Sequence, residues 1–90
     1  MSWLHEHKMS DLTDCLAELA VSGFQAAQGV DIRHDKVSFR RVWAHSALAV
    51  LDLHRTKTTE IKLPFITATP SGPQHFNFKI TRKELKEAMR

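Results

Sequence analysis

Residues 63–76 read LPFITATPSGPQHF, an apolar β-branched run, a Pro-Ser-Gly-Pro break and a His-Phe exit. Valine, isoleucine, threonine and phenylalanine suit a pleated strand, and a Pro/Gly cluster between two such runs marks a turn. Upstream, TKTTEIKLPFITAT (56–69) alternates. Thr59, Ile61, Leu63 and Phe65 fall on one face, and Glu60, Lys62 and Pro64 on the other. Downstream, QHFNFKIT (74–81) puts Phe76, Phe78 and Ile80 on one side and His75, Asn77 and Lys79 on the other. The stretch is therefore the tip of a β-hairpin. Pro64 has no N–H, so it must take an edge or a non-bonded position.

Helices flank the hairpin. In TRKELKEAMR (81–90), Thr81 and Glu84 have the spacing of a capping box, and Leu85 and Met89 are the anchors. SDLTDCLAELAVSGFQAAQG (10–29) repeats apolar residues at helical spacing, with Leu12, Cys15, Leu16, Leu19 and Val21 or Gly23 as its stripe. Ser10 or Asp11 can cap it and Gly29 can stop it. VDIRHD (30–35) is a connector, and Asp35 caps a second helix, KVSFRRVWAHSALAVLDLHR (36–55). That helix carries two apolar stripes. One is Val42, Ser46, Ala49 and Leu53; the other, turned by about 100°, is Trp43, Ala47 and Val50 with Leu51 beside it. A surface helix needs only one stripe, so two imply deep burial or an oligomer contact. The order α, α, β, β, α predicts an α+β fold: two helices packed on a small antiparallel β-sheet, followed by a short C-terminal helix.

Ninety residues allow one domain, and 42% hydrophobic with 26% charged residues is a globular composition. The net charge of +3 comes from cations interleaved with acids, which reads as solvated surface and not as a nucleic-acid footprint. The single cysteine, Cys15, excludes an intrachain disulfide and reads as a small buried hydrophobe in a reducing compartment. No run is long enough to span a membrane, and MSWLHEHKM has no signal-peptide core. Residues 1–9 read as an irregular leader and 10–90 as the domain. His5, Glu6 and His7 are too few and too loosely placed for a metal site, so no metal is expected. No nucleophile–base arrangement is recognisable, so no catalytic residue is assigned.

QGVDIRHD, TEIKLPFITAT and SGPQHFNFKITRKEL resemble the nucleotide-binding domain of the 70-kDa heat-shock chaperones, the DnaK family. The matching piece is subdomain IIB, the resemblance runs without gaps from about Ser10 to Lys86, and LPFITAT is similar to cyanobacterial and plastid members. It implies an ATPase subdomain fold and a cytoplasmic or plastid-stromal setting. In the family the second helix carries a Glu-x-x-Lys-x-x-x-Ser pattern that grips adenosine, with the residue after the lysine packing on adenine. The matching positions here are Ala47, Val50, Leu51 and His54. Ala, Val and Leu side chains neither donate nor accept a hydrogen bond. The Gly-Gly-Glu that approaches the nucleotide is here Lys8, Met9 and Ser10. The family's phosphate loops, catalytic lysine and metal-binding aspartates lie on other subdomains, and phosphoryl transfer depends on such groups. The expectation is therefore a chain that is not an ATPase and takes no cofactor.

The resemblance also implies partners. Apolar residues at Val37 and Phe39 serve exchange factors of the GrpE type in the family, and Arg40 and Arg41 stand beside them; Lys62 and the hairpin edge match a region other exchange factors touch. Trp43, Ala47, Val50 and Leu51 are the candidates for burial against the Trp3-Leu4 segment or a second copy. The expected function is a non-catalytic interaction module that binds a chaperone partner or self-associates. The alternative is a residual adenine-nucleotide-binding fragment. No nucleic-acid or membrane partner is expected.

Overall fold

The computed structural model describes residues 3–69 and 72–89. A 3-10 turn, Trp3–Glu6, leads into helix α1, Met9–Gln28; a second 3-10 turn, Ile32–His34, leads into helix α2, Lys36–Arg55. Strands β1, Thr58–Thr69, and β2, Gly72–Thr81, form a two-stranded antiparallel sheet, and helix α3, Arg82–Ala88, follows. This is the expected α+β arrangement. Pro70 and Ser71 of the Pro-Ser-Gly-Pro turn lie outside the described residues.

The helix ends follow from local chemistry, with one exception. Gly29 ends α1 in the left-handed region at φ 73°, where an L side chain is strained, and its N–H donates to Gln25 O. The Asp35 carboxylate accepts from the N–H groups of Val37 and Ser38 at the start of α2. The capping box at α3 is complete: Glu84 N–H donates to Thr81 Oγ1 at 3.1 Å and Thr81 N–H to Glu84 Oε1 at 3.0 Å. The exception is the start of α1. Ser10 and Asp11 do not cap it; the helix begins at Met9 after Lys8, which makes no side-chain capping bond. Asp11 falls instead in the first turn, where its charge complements the helix dipole. The stretch read as an irregular leader thus contains a 3-10 turn and the first helical residue.

One core fills the space between the helices and the sheet. Its members include Leu12, Leu16, Ala20, Val21, Phe24, Ile32, Val42, Ala49, Leu53, Ile61, Leu63, Phe76, Ile80 and Leu85. The rings of Phe24 and Phe76 stack with centroids 4.9 Å apart, joining α1 to β2. Cys15 and Leu19, placed in the apolar stripe by spacing, are only half-buried; Thr13, Ala17 and Phe24 take the inner side of α1 instead. Thr13 is tolerated there because its hydroxyl donates to Met9 O at 2.7 Å.

Pro64 sits in a bulge. Leu63 pairs with Phe76 and Thr67 with Gln74, so residues 64–66 stand opposite His75 alone. The missing N–H of Pro64 falls where the ladder is already broken. The bulge also turns Ile66 into the core, although period-two alternation would put it outside. Helix α2 secures the broken stretch: Ser38 Oγ lies 2.8 Å from Ile66 O, and Arg41 Nη2 donates to Pro64 O at 3.4 Å. Arg82 joins the other end, donating through Nε to Leu53 O at 2.8 Å and through Nη2 to Thr56 O at 2.9 Å. A cation on the last carbonyls of α2 complements its dipole.

Candidate functional site

Helix α2 carries every candidate residue except Lys62, which is on β1, and its two sides differ. Val42, Ser46, Ala49 and Leu53 are buried, as the first stripe requires. The second stripe splits. Val50 is fully buried and belongs to the core, so it is not part of an exposed face. Ala47 is half-buried, Trp43 is 37% exposed and Leu51 51% exposed. The Trp43 indole N–H donates to Asp14 Oδ1 at 2.7 Å, tying α2 to α1 at the surface.

Positions 47, 50, 51 and 54 do not assemble a polar cradle. His54 is half-buried, and its Nδ1 donates to Val50 O at 2.9 Å, so that nitrogen is committed to the helix backbone. Its ring meets His5 edge-on at 4.9 Å, which lays the N-terminal 3-10 turn against this end of α2. Ala47 and Leu51 contribute only aliphatic surface, and buried Val50 contributes none. Among the described residues no group of three His, Cys, Asp or Glu could hold a metal ion.

The four residues proposed for a partner also divide. Val37 is 71% exposed, and Arg40 and Arg41 are exposed on the same outer side at i+3 and i+4. Phe39 is half-buried and packs against the core, so it supports the sheet-facing side and does not join that surface. Lys62 is exposed, with Nζ 3.6 Å from Glu60 Oε1. Sequence reasoning missed Leu48, which is 58% exposed. The signal was present: Leu48 stands three residues before Leu51 and on the side of α2 opposite Val42, Ala49 and Leu53.

The perturbed charges are structural. Asp35 is held below its ordinary value, first by the Ser38 hydroxyl and then by the Ser38 and Val37 N–H groups. Asp31 is lowered chiefly by the Arg33 N–H. Arg33 is raised, above all by Glu18, and its guanidinium also reaches Ser22, Gln25 and Asp31, which ties the 30–35 connector to α1. Burial pushes the Cys15 thiol up, which makes it a poor nucleophile. An open cleft of ≈ 420 Å³ lies between the hairpin base and α3, lined by Thr58, Thr59, Glu60, Lys79, Ile80, Thr81 and Glu84. Glu84 is spent on the capping box, and the cleft holds no His, Cys or Ser beside a base. No described helix is long and apolar enough to cross a membrane.

Comparison with known proteins agrees with the hairpin and helix signals. A model of the family described as Hsp70 protein matches residues 10–90. The chain is 36% identical over 77 residues to the chaperone protein DnaK of Prochlorococcus marinus (strain MIT 9515). It is 39% identical over 77 residues to the mitochondrial heat shock 70 kDa protein of Dictyostelium discoideum. Each match covers 86% of this chain and 12% of the relative, so the chain spans about an eighth of the length of these relatives.

Proposed function

The chain belongs to the Hsp70 family, and from that premise we propose that it is a non-catalytic interaction module resembling subdomain IIB of the DnaK ATPase. Its partner is a chaperone component of the nucleotide-exchange-factor type, engaged through the outer side of α2. The observation that carries this reading is the pairing of Val37, 71% exposed, with exposed Arg40 and Arg41 at the start of a helix whose adenosine-type positions 47, 50 and 51 hold Ala, Val and Leu, and whose fourth, His54, spends Nδ1 on Val50 O. An exposed valine between two arginines favours protein contact, whereas aliphatic groups at 47, 50 and 51 offer a ribose or adenine no hydrogen bond. Self-association is the other outlet for the apolar side of α2, and it runs through Trp43, Ala47 and Leu51. The lone cysteine with its raised thiol fits a reducing cytoplasmic or stromal compartment.

The test is a titration of isotope-labelled chain with a GrpE-type exchange factor, followed by NMR. Shifts at Val37, Arg40 and Arg41, abolished by Val37→Glu, support the reading. No binding at high micromolar factor removes this partner. A parallel titration with ATP separates the nucleotide alternative: shifts clustered at positions 47–54 would restore residual nucleotide binding.

A further inference from the structure

Of the five large apolar side chains exposed among the described residues, four are on α2: Val37, Trp43, Leu48 and Leu51. Three of them form a line. Val37, exposed Ala44 and Leu51 are successive heptads apart, and Leu48 fills the turn between the last two. The line runs opposite Val42, Ser46, Ala49 and Leu53, and its residues are exposed among the described residues.

The charges around the line have one sign. From Lys36 to Leu51 the helix contains no acid. Arg40 and Arg41 stand on either side of the line in its first half, and exposed Arg55 closes its far end. The one acid of α2, Asp52, already pairs with Arg55 at 3.3 Å and accepts from Thr59 Oγ1 at 3.2 Å, and Asp14 of α1 accepts from the Trp43 indole at 2.7 Å. Arg41 spends one donor on Pro64 O, and Arg40 has no hydrogen bond or ion pair among the described residues.

We infer that Ala44, Leu48 and Leu51, flanked by Arg40, Arg41 and Arg55, dock an amphipathic helix with acidic flanks supplied by another protein. A small residue, Ala44, one heptad from Val37 on one side and from Leu51 on the other leaves a hole that a partner knob can fill. The Arg40 guanidinium on one side and the remaining donors of Arg41 on the other select carboxylates and fix the register. A second copy is the poorer occupant, because an isologous contact sets the same cations against each other. An anionic membrane is also poorer. Trp43, which would have to insert, is bound to Asp14 at the edge of the same side, and burying that carboxylate against acidic lipid is repulsive. The inference deepens the proposed reading, since Arg40 and Arg41 serve both. Its own content is the apolar line about one to three turns further along the helix.

The test uses the whole chain and two designed three-heptad helices, alike in their leucines, one with glutamate and one with lysine flanks. The expected result is saturable binding of the glutamate peptide, with NMR shifts along residues 40–55. Raising salt from about 0.05 to about 0.5 M should weaken it about tenfold. Leu48→Ser/Leu51→Ser, both at exposed positions, should weaken it at least about tenfold with an unchanged melting temperature. Arg40→Glu/Arg41→Glu should shift preference to the lysine peptide. Equal binding of both peptides, or none, overturns the inference. So does a dimer dispersed by Leu48→Ser/Leu51→Ser, which assigns the line to a second copy. Binding to phosphatidylglycerol vesicles without peptide binding assigns it to lipid and also overturns it. If the exchange factor binds the Leu48→Ser/Leu51→Ser chain normally while the acidic peptide binds neither chain, this inference falls and the proposed function stands.

Discussion

Asp35 shows how one carboxylate fixes the start of helix α2. It caps Val37 and Ser38, and Ser38 in turn reaches the bulge at Ile66. Its carboxyl is held below the ordinary value of 3.8, so the charged form is the one the fold prefers. The stability it supplies is therefore complete above pH 3.8 and is lost as pH falls through the lower folded value. Asp35→Asn keeps a capping oxygen but cannot ionise. Its melting temperature should lie below that of the parent from pH 5 to 8 and converge with it in strong acid. Thermal melts by circular dichroism across pH 2–8 check this, and a constant gap down to pH 2 would contradict it. Val50 and Leu51 make the companion case. They are neighbours in sequence, yet one is fully buried and the other half open. Val50→Glu puts an unpaired carboxylate in the core and should cost several kcal/mol, about 3–5, whereas Leu51→Glu should change stability by about 0.5 kcal/mol or less. Urea denaturation of the two variants separates burial inside the chain from burial at a contact.

Element by element, the sequence was most legible where a side chain acts on its own backbone. Gly29, Asp35 and the Thr81–Glu84 box terminate or start helices by local bonds, and such signals survive without tertiary knowledge. Gly29→Ala places a Cβ at φ 73° and should destabilise α1's end by about 1 kcal/mol, measurable as a drop of a few degrees in melting temperature. Legibility failed where packing chose between equal patterns. Phe39 and Val37 are both apolar and two residues apart, and only the fold turns one inward and the other out. Val50 read as part of a stripe buried either deep in the fold or at a contact, and the pattern could not choose; in this chain the isopropyl group is in the core and His5 closes over the neighbouring His54. The inward turn of Ile66 depends on a bulge that no alternation rule anticipates, although Pro64 marked where the ladder had to fail. Leu48 was hidden by the opposite error: attention to apolar stripes that bury something passes over one that does not.

At the scale of the whole molecule, the hairpin and the helices depend on one another. A two-stranded sheet is marginal in water, and here Ile61, Leu63, Phe76 and Ile80 are buried on one face while Lys62, Asn77 and Lys79 are exposed on the other. The cover is the helix pair, and its contact with the strands passes through Phe76, which is fully buried and stacked on Phe24. A domain this size has about 5–10 kcal/mol of stability in total. Phe76→Ala removes a buried ring and leaves a cavity, at a cost of about 3–5 kcal/mol. The loss cannot stay local, because α1 and α2 would keep an apolar side with no strands against it. Helix and strand signals should therefore disappear together, in one transition at a much lower midpoint. Far-UV circular dichroism and amide exchange at the β1–β2 ladder follow the two parts separately. If the ladder amides lost protection while the α1 and α2 amides kept theirs, the helix pair would be an independent unit and the single-core account would be wrong. In that case the outer side of α2 could be studied without the hairpin. With coupled unfolding it cannot be, and any change in partner binding by a hairpin variant must be corrected for the fraction of folded chain.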